Sequence, residues 1–96
     1  MKVRYTPRAR ADLEAIFAYL DARAPLAAQA VKWTIERRIA WLADYPQMAP
    51  VTDEPGVYEL TIRRYPYKVY YEIGSEEVRI VHIRDARRRP WNEEEG

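Results

Sequence analysis

One histidine, His82, lies in a stretch of chain (57–91) that also holds seven arginines, one lysine and five of the eight tyrosines. These residue types suit contact with an anionic polymer. A guanidinium presents paired donors in a fixed plane that matches phosphate oxygens, and tyrosine rings can stack on bases. Cutting an RNA backbone needs a base for the 2′-OH, a cation for the developing phosphorane charge and an acid for the leaving oxygen. On paper His82, Arg63 and Lys68 fill those roles. A structural reading stands beside this one. His82 alternates with Ile80 and Val78, as a buried, hydrogen-bonded core residue would. Arg63 and Lys68 read equally as cross-strand partners of Glu59 and Glu72. The run 84–89, with Arg84, Arg87, Arg88 and Arg89 ahead of Pro90 and Trp91, is not needed for folding. It points to an anionic target or an acidic partner protein.

Other chemistries find no foothold. The chain has no Gly-rich phosphate loop, no HExxH and no GxSxG. It has no cysteine, one histidine and scattered carboxylates, so no metal site and no cofactor are expected. The 96 residues carry a net charge of +1, which suggests one basic contact surface rather than a molecule built throughout for nucleic acid. Within 57–91 eight Lys/Arg stand against five Asp/Glu, and three glutamates follow in 92–96. No apolar run approaches the roughly 20 residues of a membrane span, and the N-terminus lacks the apolar core of a signal peptide. The expectation is one cytoplasmic domain, 1–96.

The elements that must position these residues can be read in order. Val3 and Tyr5 alternate with Lys2 and Arg4, as in a short strand over 2–6. Thr6-Pro7 opens a helix, and Leu13, Ile16, Phe17 and Leu20 give it one apolar stripe over 7–23. Pro25 opens a second helix over 25–44, so the two make an αα-hairpin. Its main stripe is Ala28, Val31, Ile35, Ile39 and Leu42. Leu26, Ala30, Trp33 and Trp41, with Arg37 among them, lie on the opposite side. They either cover a core edge or form a partner-binding surface. A proline-rich loop over 45–56 precedes strands at 57–63 and 67–73, joined by Arg64-Tyr65-Pro66. Gly74-Ser75 then leads to a strand at 77–83 that is apolar on both faces, as for a central position. Taking each connection as a reversal, the first strand should join the sheet antiparallel. The fold class is α+β, β-α-α-β-β-β, a helical hairpin on one face of a mainly antiparallel sheet. The other face should be free and carry Arg63, Lys68 and Tyr70.

That order of elements resembles the ParE/RelE toxins of type II toxin–antitoxin systems, the plasmid-stabilisation type. The residues that carry the likeness are Tyr45-Pro46, the segments 63–73 and 78–87, and the early pattern Tyr5-Thr6, Ala11-Asp12-Leu13, Ile16 and Tyr19-Leu20. The resemblance spans nearly the whole chain. It implies a small bacterial toxin that inhibits growth and is held as a hetero-oligomer by an adjacently encoded antitoxin. The RelE-like branch cleaves mRNA on the ribosome; the ParE-like branch poisons DNA gyrase. Matched to the RelE-like pattern, its basic residues fall on Arg63, Lys68 and Arg87, which would be catalytic in that branch. The tyrosine that some nuclease members carry falls near Trp91, which is no proton donor or acceptor. The histidine of the ParE-like HGAR stretch falls on Arg84. These departures favour the ParE-like branch, a binding toxin rather than an enzyme. Arg84, Arg87, Arg88, Arg89 and Trp91 are then expected to meet the target. Leu26, Trp33, Arg37 and Trp41 are expected to meet the antitoxin.

Overall fold

The Thr6 side chain accepts from the Ala9 N–H at 3.2 Å and so caps the first helix, while Pro7 fills the first helical position. From that start the computed structural model, which describes residues 1–87, runs through seven elements. They are β1 (Lys2–Tyr5), α1 (Pro7–Asp21), α2 (Pro25–Ala40), a 3-10 turn (Trp41–Ala43), β2 (Val57–Ile62), β3 (Tyr67–Ile73) and β4 (Glu77–Asp85). Both helices end earlier than their apolar periodicity suggests. The Leu20 carbonyl takes the N–H groups of Arg23 and Ala24, which closes α1 one turn before Pro25. The last turn of the second helical segment tightens into the 3-10 form.

The sheet order is β1-β4-β3-β2, so β4 is flanked on both sides, in keeping with its apolar sequence. Strands β2, β3 and β4 form an antiparallel meander. The direction of β1 corrects the sequence expectation: it pairs with β4 in parallel, Lys2 opposite Glu77 through Tyr5 opposite Ile80. The reason lies in the segment before β2. It does not simply reverse the chain; Val51 bridges to Tyr58 beside the outer edge of β2, and β2 is delivered in the same sense as β1. β2 also ends at Ile62 rather than at Arg63, because Arg63 and Arg64 belong to the turn into β3.

The helical hairpin covers one face of the sheet. Ile35, Ile39 and Leu42 are no more than 1% exposed and pack with Leu60, Ile62, Val69, Tyr71 and Ile80. Each such aliphatic side chain contributes about 1.5–3 kcal/mol when fully buried. Tyr71 stacks on Tyr58 with ring centroids 5.2 Å apart, and its hydroxyl donates to the Pro46 carbonyl at 2.7 Å. One core aromatic thereby ties the long loop to the middle of the sheet.

A one-residue shift in the β3–β4 pairing sets the faces of β4. Tyr70 pairs with His82 and Tyr71 with Ile80, which leaves Val81 as the extra residue. Simple alternation would put His82 on the same face as Ile80. The shift moves it to the face of Tyr70, opposite that of the core residues Ile80 and Ile83, because neighbours in a strand point to opposite faces.

Candidate functional site

The basic residues of the stretch collect at one end of the sheet. Lys68 and Arg84 are direct cross-strand partners, and Tyr67 pairs with Asp85. Arg63 and Arg64 follow the last β2 pair, Ile62 opposite Tyr67, and Arg87 follows Asp85 by two residues. The backbone N–H of Ala86 donates to the Pro66 carbonyl, tying the end of β4 to the β2–β3 turn. Arg63, Arg64, Lys68, Arg84 and Arg87 therefore share one end of the antiparallel meander. Arg88, Arg89 and Trp91 lie outside the described residues.

Most of these cations already have partners. Lys68 Nζ stands 3.3 Å from Glu59 Oε2, the cross-strand pairing anticipated for it. Arg84 Nε donates to the Tyr70 hydroxyl at 3.2 Å. Arg87 makes a two-pronged contact with Asp85, Nε to Oδ1 at 3.1 Å and Nη2 to Oδ2 at 2.8 Å. That hydrogen-bonded carboxylate raises the Arg87 pKa above its already high ordinary value. Glu72 pairs with Arg79 at 2.9 Å rather than with Arg63. Among the described residues Arg63 makes no hydrogen bond or ion pair, and it is exposed. Arg64 is also exposed; its guanidinium lies 5.8 Å from the Tyr65 ring centroid, and its φ of 72° is in the left-handed region.

The expected free face of the sheet is closed at its centre. Tyr70 is 8% exposed and His82 9%, and their rings stack with centroids 5.8 Å apart. His82 Nδ1 donates to Asp12 Oδ2 at 2.7 Å. The same oxygen accepts the Ile83 N–H at 3.0 Å. Pairing with β1 ends at Ile80, so this N–H lies past the last β1 partner. The Asp12 carboxylate thus takes the place of a strand at the edge of β4. Arg8, one turn earlier on α1, reaches Asp12 at 4.0 Å. Sequence reasoning gave His82 two roles; the geometry is that of the hydrogen-bonded structural residue. It gave no role to Asp12, the structural partner of His82. The available signal was a carboxylate set inside an apolar stripe, at i+3 among Ala9, Leu13 and Ile16.

The second candidate surface is the outer side of α2. Leu26 is 88% exposed, Trp33 60% and Trp41 43%. Leu26 and Trp33 are mostly exposed, while Trp41 is more than half buried. Arg37 lies over the Trp33 ring at 5.1 Å and Arg38 over Trp41 at 5.1 Å. The Tyr45 N–H donates to the Trp41 carbonyl at 2.9 Å, which extends this helical row by one exposed aromatic. Among the described residues no group of histidines, cysteines and carboxylates could hold a metal ion. No helix there is long and apolar enough to cross a membrane.

Comparison with known proteins places this architecture. A family model described as the ParE toxin of type II toxin–antitoxin systems, parDE, matches residues 3–90. The chain is similar in structure to one from the chromosomal ParDE toxin–antitoxin system of P. aeruginosa, with TM-score 0.79 and 27% identity over 88% of this chain and 95% of that one. It shares its fold with a chain of the intact RelBE toxin–antitoxin complex of E. coli (TM-score 0.68, 14% identity, 91% of this chain and 98% of that one). It also shares it with a chain of the RelBE2 toxin–antitoxin complex of Mycobacterium tuberculosis (TM-score 0.58, 24% identity, 88% of each). A search of curated protein sequences finds no match.

Proposed function

The chain belongs to the ParE toxin family of type II toxin–antitoxin systems, and from that premise we propose that it inhibits growth by gripping DNA gyrase in the cytoplasm. A cognate antitoxin encoded beside it holds it silent. The observation that carries this reading over RNA cleavage is the state of His82. The one imidazole of the chain is 9% exposed, and its Nδ1 is committed to Asp12. A general base must reach the proton it abstracts, and this ring is instead part of the joint between α1 and β4.

The cations support the same reading. Lys68 is neutralised by Glu59 and Arg87 by Asp85, so they are held as structural pairs rather than aimed at a reacting phosphate. The RelE-like alternative, an mRNA interferase using Arg63, Lys68 and Arg87, draws its support from Arg63, which is exposed and uncommitted. The exposed row of Leu26, Trp33, Arg37 and Trp41 has the aromatic and arginine composition of interface anchors and fits an amphipathic antitoxin helix.

Primer extension on cellular mRNA after induction tests the choice of branch. The binding reading expects no new ends within codons. Cuts that vanish in Arg63→Ala would replace it with the enzymatic one.

A further inference from the structure

The two ends of the sheet differ in charge. At the end reached by β2 and β4 stand Arg63, Arg64, Lys68, Arg84 and Arg87, against the carboxylates of Glu59 and Asp85. At the other end, where Val57 pairs with Glu72 and β4 begins at Glu77, stand Asp53, Glu54, Glu72, Glu76 and Glu77, with Lys2, Arg4 and Arg79 among them. Two exposed cations of the basic end, Arg63 and Arg64, are adjacent in sequence. Arg63 has no partner among the described residues, and Arg64 sits in the left-handed region that glycine would occupy without strain.

We propose that this end, through Arg63 and Arg64, takes the phosphate backbone of duplex DNA. The choice of duplex rests on the gyrase reading, since DNA is what gyrase holds. The choice of nucleic acid over an acidic protein rests on the surface itself. Among the described residues, the large apolar side chains that are exposed are Met1, Tyr19 on α1, and Leu26, Trp33, Trp41, Tyr45, Met48 and Val51 along α2 and the loop after it; none lies on β2, β3 or β4 or in the turn between β2 and β3. Protein interfaces have an apolar core depleted in charge, whereas nucleic-acid interfaces are polar and strongly positive. The molecule therefore presents one surface of each kind. Two adjacent guanidiniums in the turn between β2 and β3 suit two phosphate oxygens.

The test is fluorescence anisotropy of a labelled duplex of about 20 base pairs with the purified full chain, between roughly 50 and 200 mM salt. Log affinity should fall linearly with log salt. The Arg63→Ala/Arg64→Ala double variant should bind at least about tenfold more weakly and lose about 0.9 of slope per arginine. Lysine at both positions should restore the slope, because the slope counts charge. Arg64→Gly relieves the left-handed backbone, so its loss of binding with undiminished thermal stability would exclude misfolding as the cause. Lys2→Ala, at the opposite end, should bind as wild type does.

The proposal is overturned if wild type shows no salt-dependent binding, if the double variant binds unchanged, or if single-stranded RNA of the same sequence binds more tightly than the duplex. It is also overturned if the double variant keeps DNA binding and loses only an acidic antitoxin. DNA binding as expected, with no effect on gyrase, would uphold the phosphate site and remove the gyrase reading. Gyrase inhibition that persists undiminished in a double variant unable to bind DNA would do the reverse.

Discussion

His82 Nδ1 and Asp12 Oδ2 stand 2.7 Å apart across 70 positions of sequence, a polar contact between α1 and β4. The carboxylate oxygen also serves the Ile83 N–H past the end of β1 pairing. Removing it leaves two donors in a largely dry place. Asp12→Ala should therefore cost about 1–3 kcal/mol, read as a drop in thermal midpoint of about 4–8 °C per kcal/mol for a chain of this size. Asp12→Asn keeps an acceptor oxygen and should cost less. An Asp12→Ala protein as stable as wild type would show that this joint does not hold the helix to the sheet.

Trp33 is 60% exposed and stacked only by Arg37, so Trp33→Glu should change folding stability by no more than about 0.5 kcal/mol. Its effect should fall on the antitoxin. Aromatic anchors of an interface cost about 2 kcal/mol or more on truncation, at least about 30-fold in Kd. Titration calorimetry against the purified antitoxin measures this, and unchanged affinity would remove Trp33 from the interface.

Arg64 at φ 72° holds a conformation that costs a side-chain-bearing residue about 1–2 kcal/mol. Glycine escapes that cost but adds freedom to the unfolded chain. Arg64→Gly should thus be neutral or stabilising by up to about 1 kcal/mol in urea denaturation. Arg64→Val should be clearly destabilising, since a β-branched residue tolerates positive φ least. The opposite ranking would mean that the turn is not held left-handed in solution.

The fold was legible wherever a short-range period dominates. The stripe Ala28, Val31, Ile35, Ile39 and Leu42 reads correctly as the buried side of the second helical segment, Leu42 falling in its 3-10 turn. The parallel entry of β1 was not legible, because it depends on how the loop before β2 travels rather than on any residue in β1. The face of His82 was hidden for a related reason: one extra residue at Val81 inverts the alternation downstream. At the candidate site, the clustering of Arg63, Lys68 and Arg84 follows from the antiparallel meander. The Asp12–His82 contact is long-range and left only the trace of a carboxylate in an apolar stripe.

Tyr5 and Glu77 contribute to the pH limits of stability, and Tyr71, whose phenol burial also pushes up, adds to the alkaline side. Burial, then the nearby Glu36, pushes the Tyr5 phenol up to about 12, with Arg10 pulling it down. The folded state thus favours the neutral phenol. That stability is intact below the ordinary value of 10.0 and is lost as pH rises toward about 12. Tyr5→Phe should flatten this alkaline limb. Glu77 is held below its ordinary 4.5, first by the hydrogen bond from Arg4. Its contribution is present above 4.5 and fades as pH falls further, so Glu77→Gln should flatten the acid limb. Urea midpoints across pH check both, and limbs unaltered by these changes would assign the dependence to other groups.

The central claim is that this ParE-family toxin works by gripping gyrase. Its most direct test is a supercoiling assay with purified gyrase and relaxed plasmid, with toxin alone and with toxin plus antitoxin. The account predicts that the toxin blocks supercoiling and that the antitoxin restores it. Full supercoiling at toxin concentrations well above those of gyrase would contradict it.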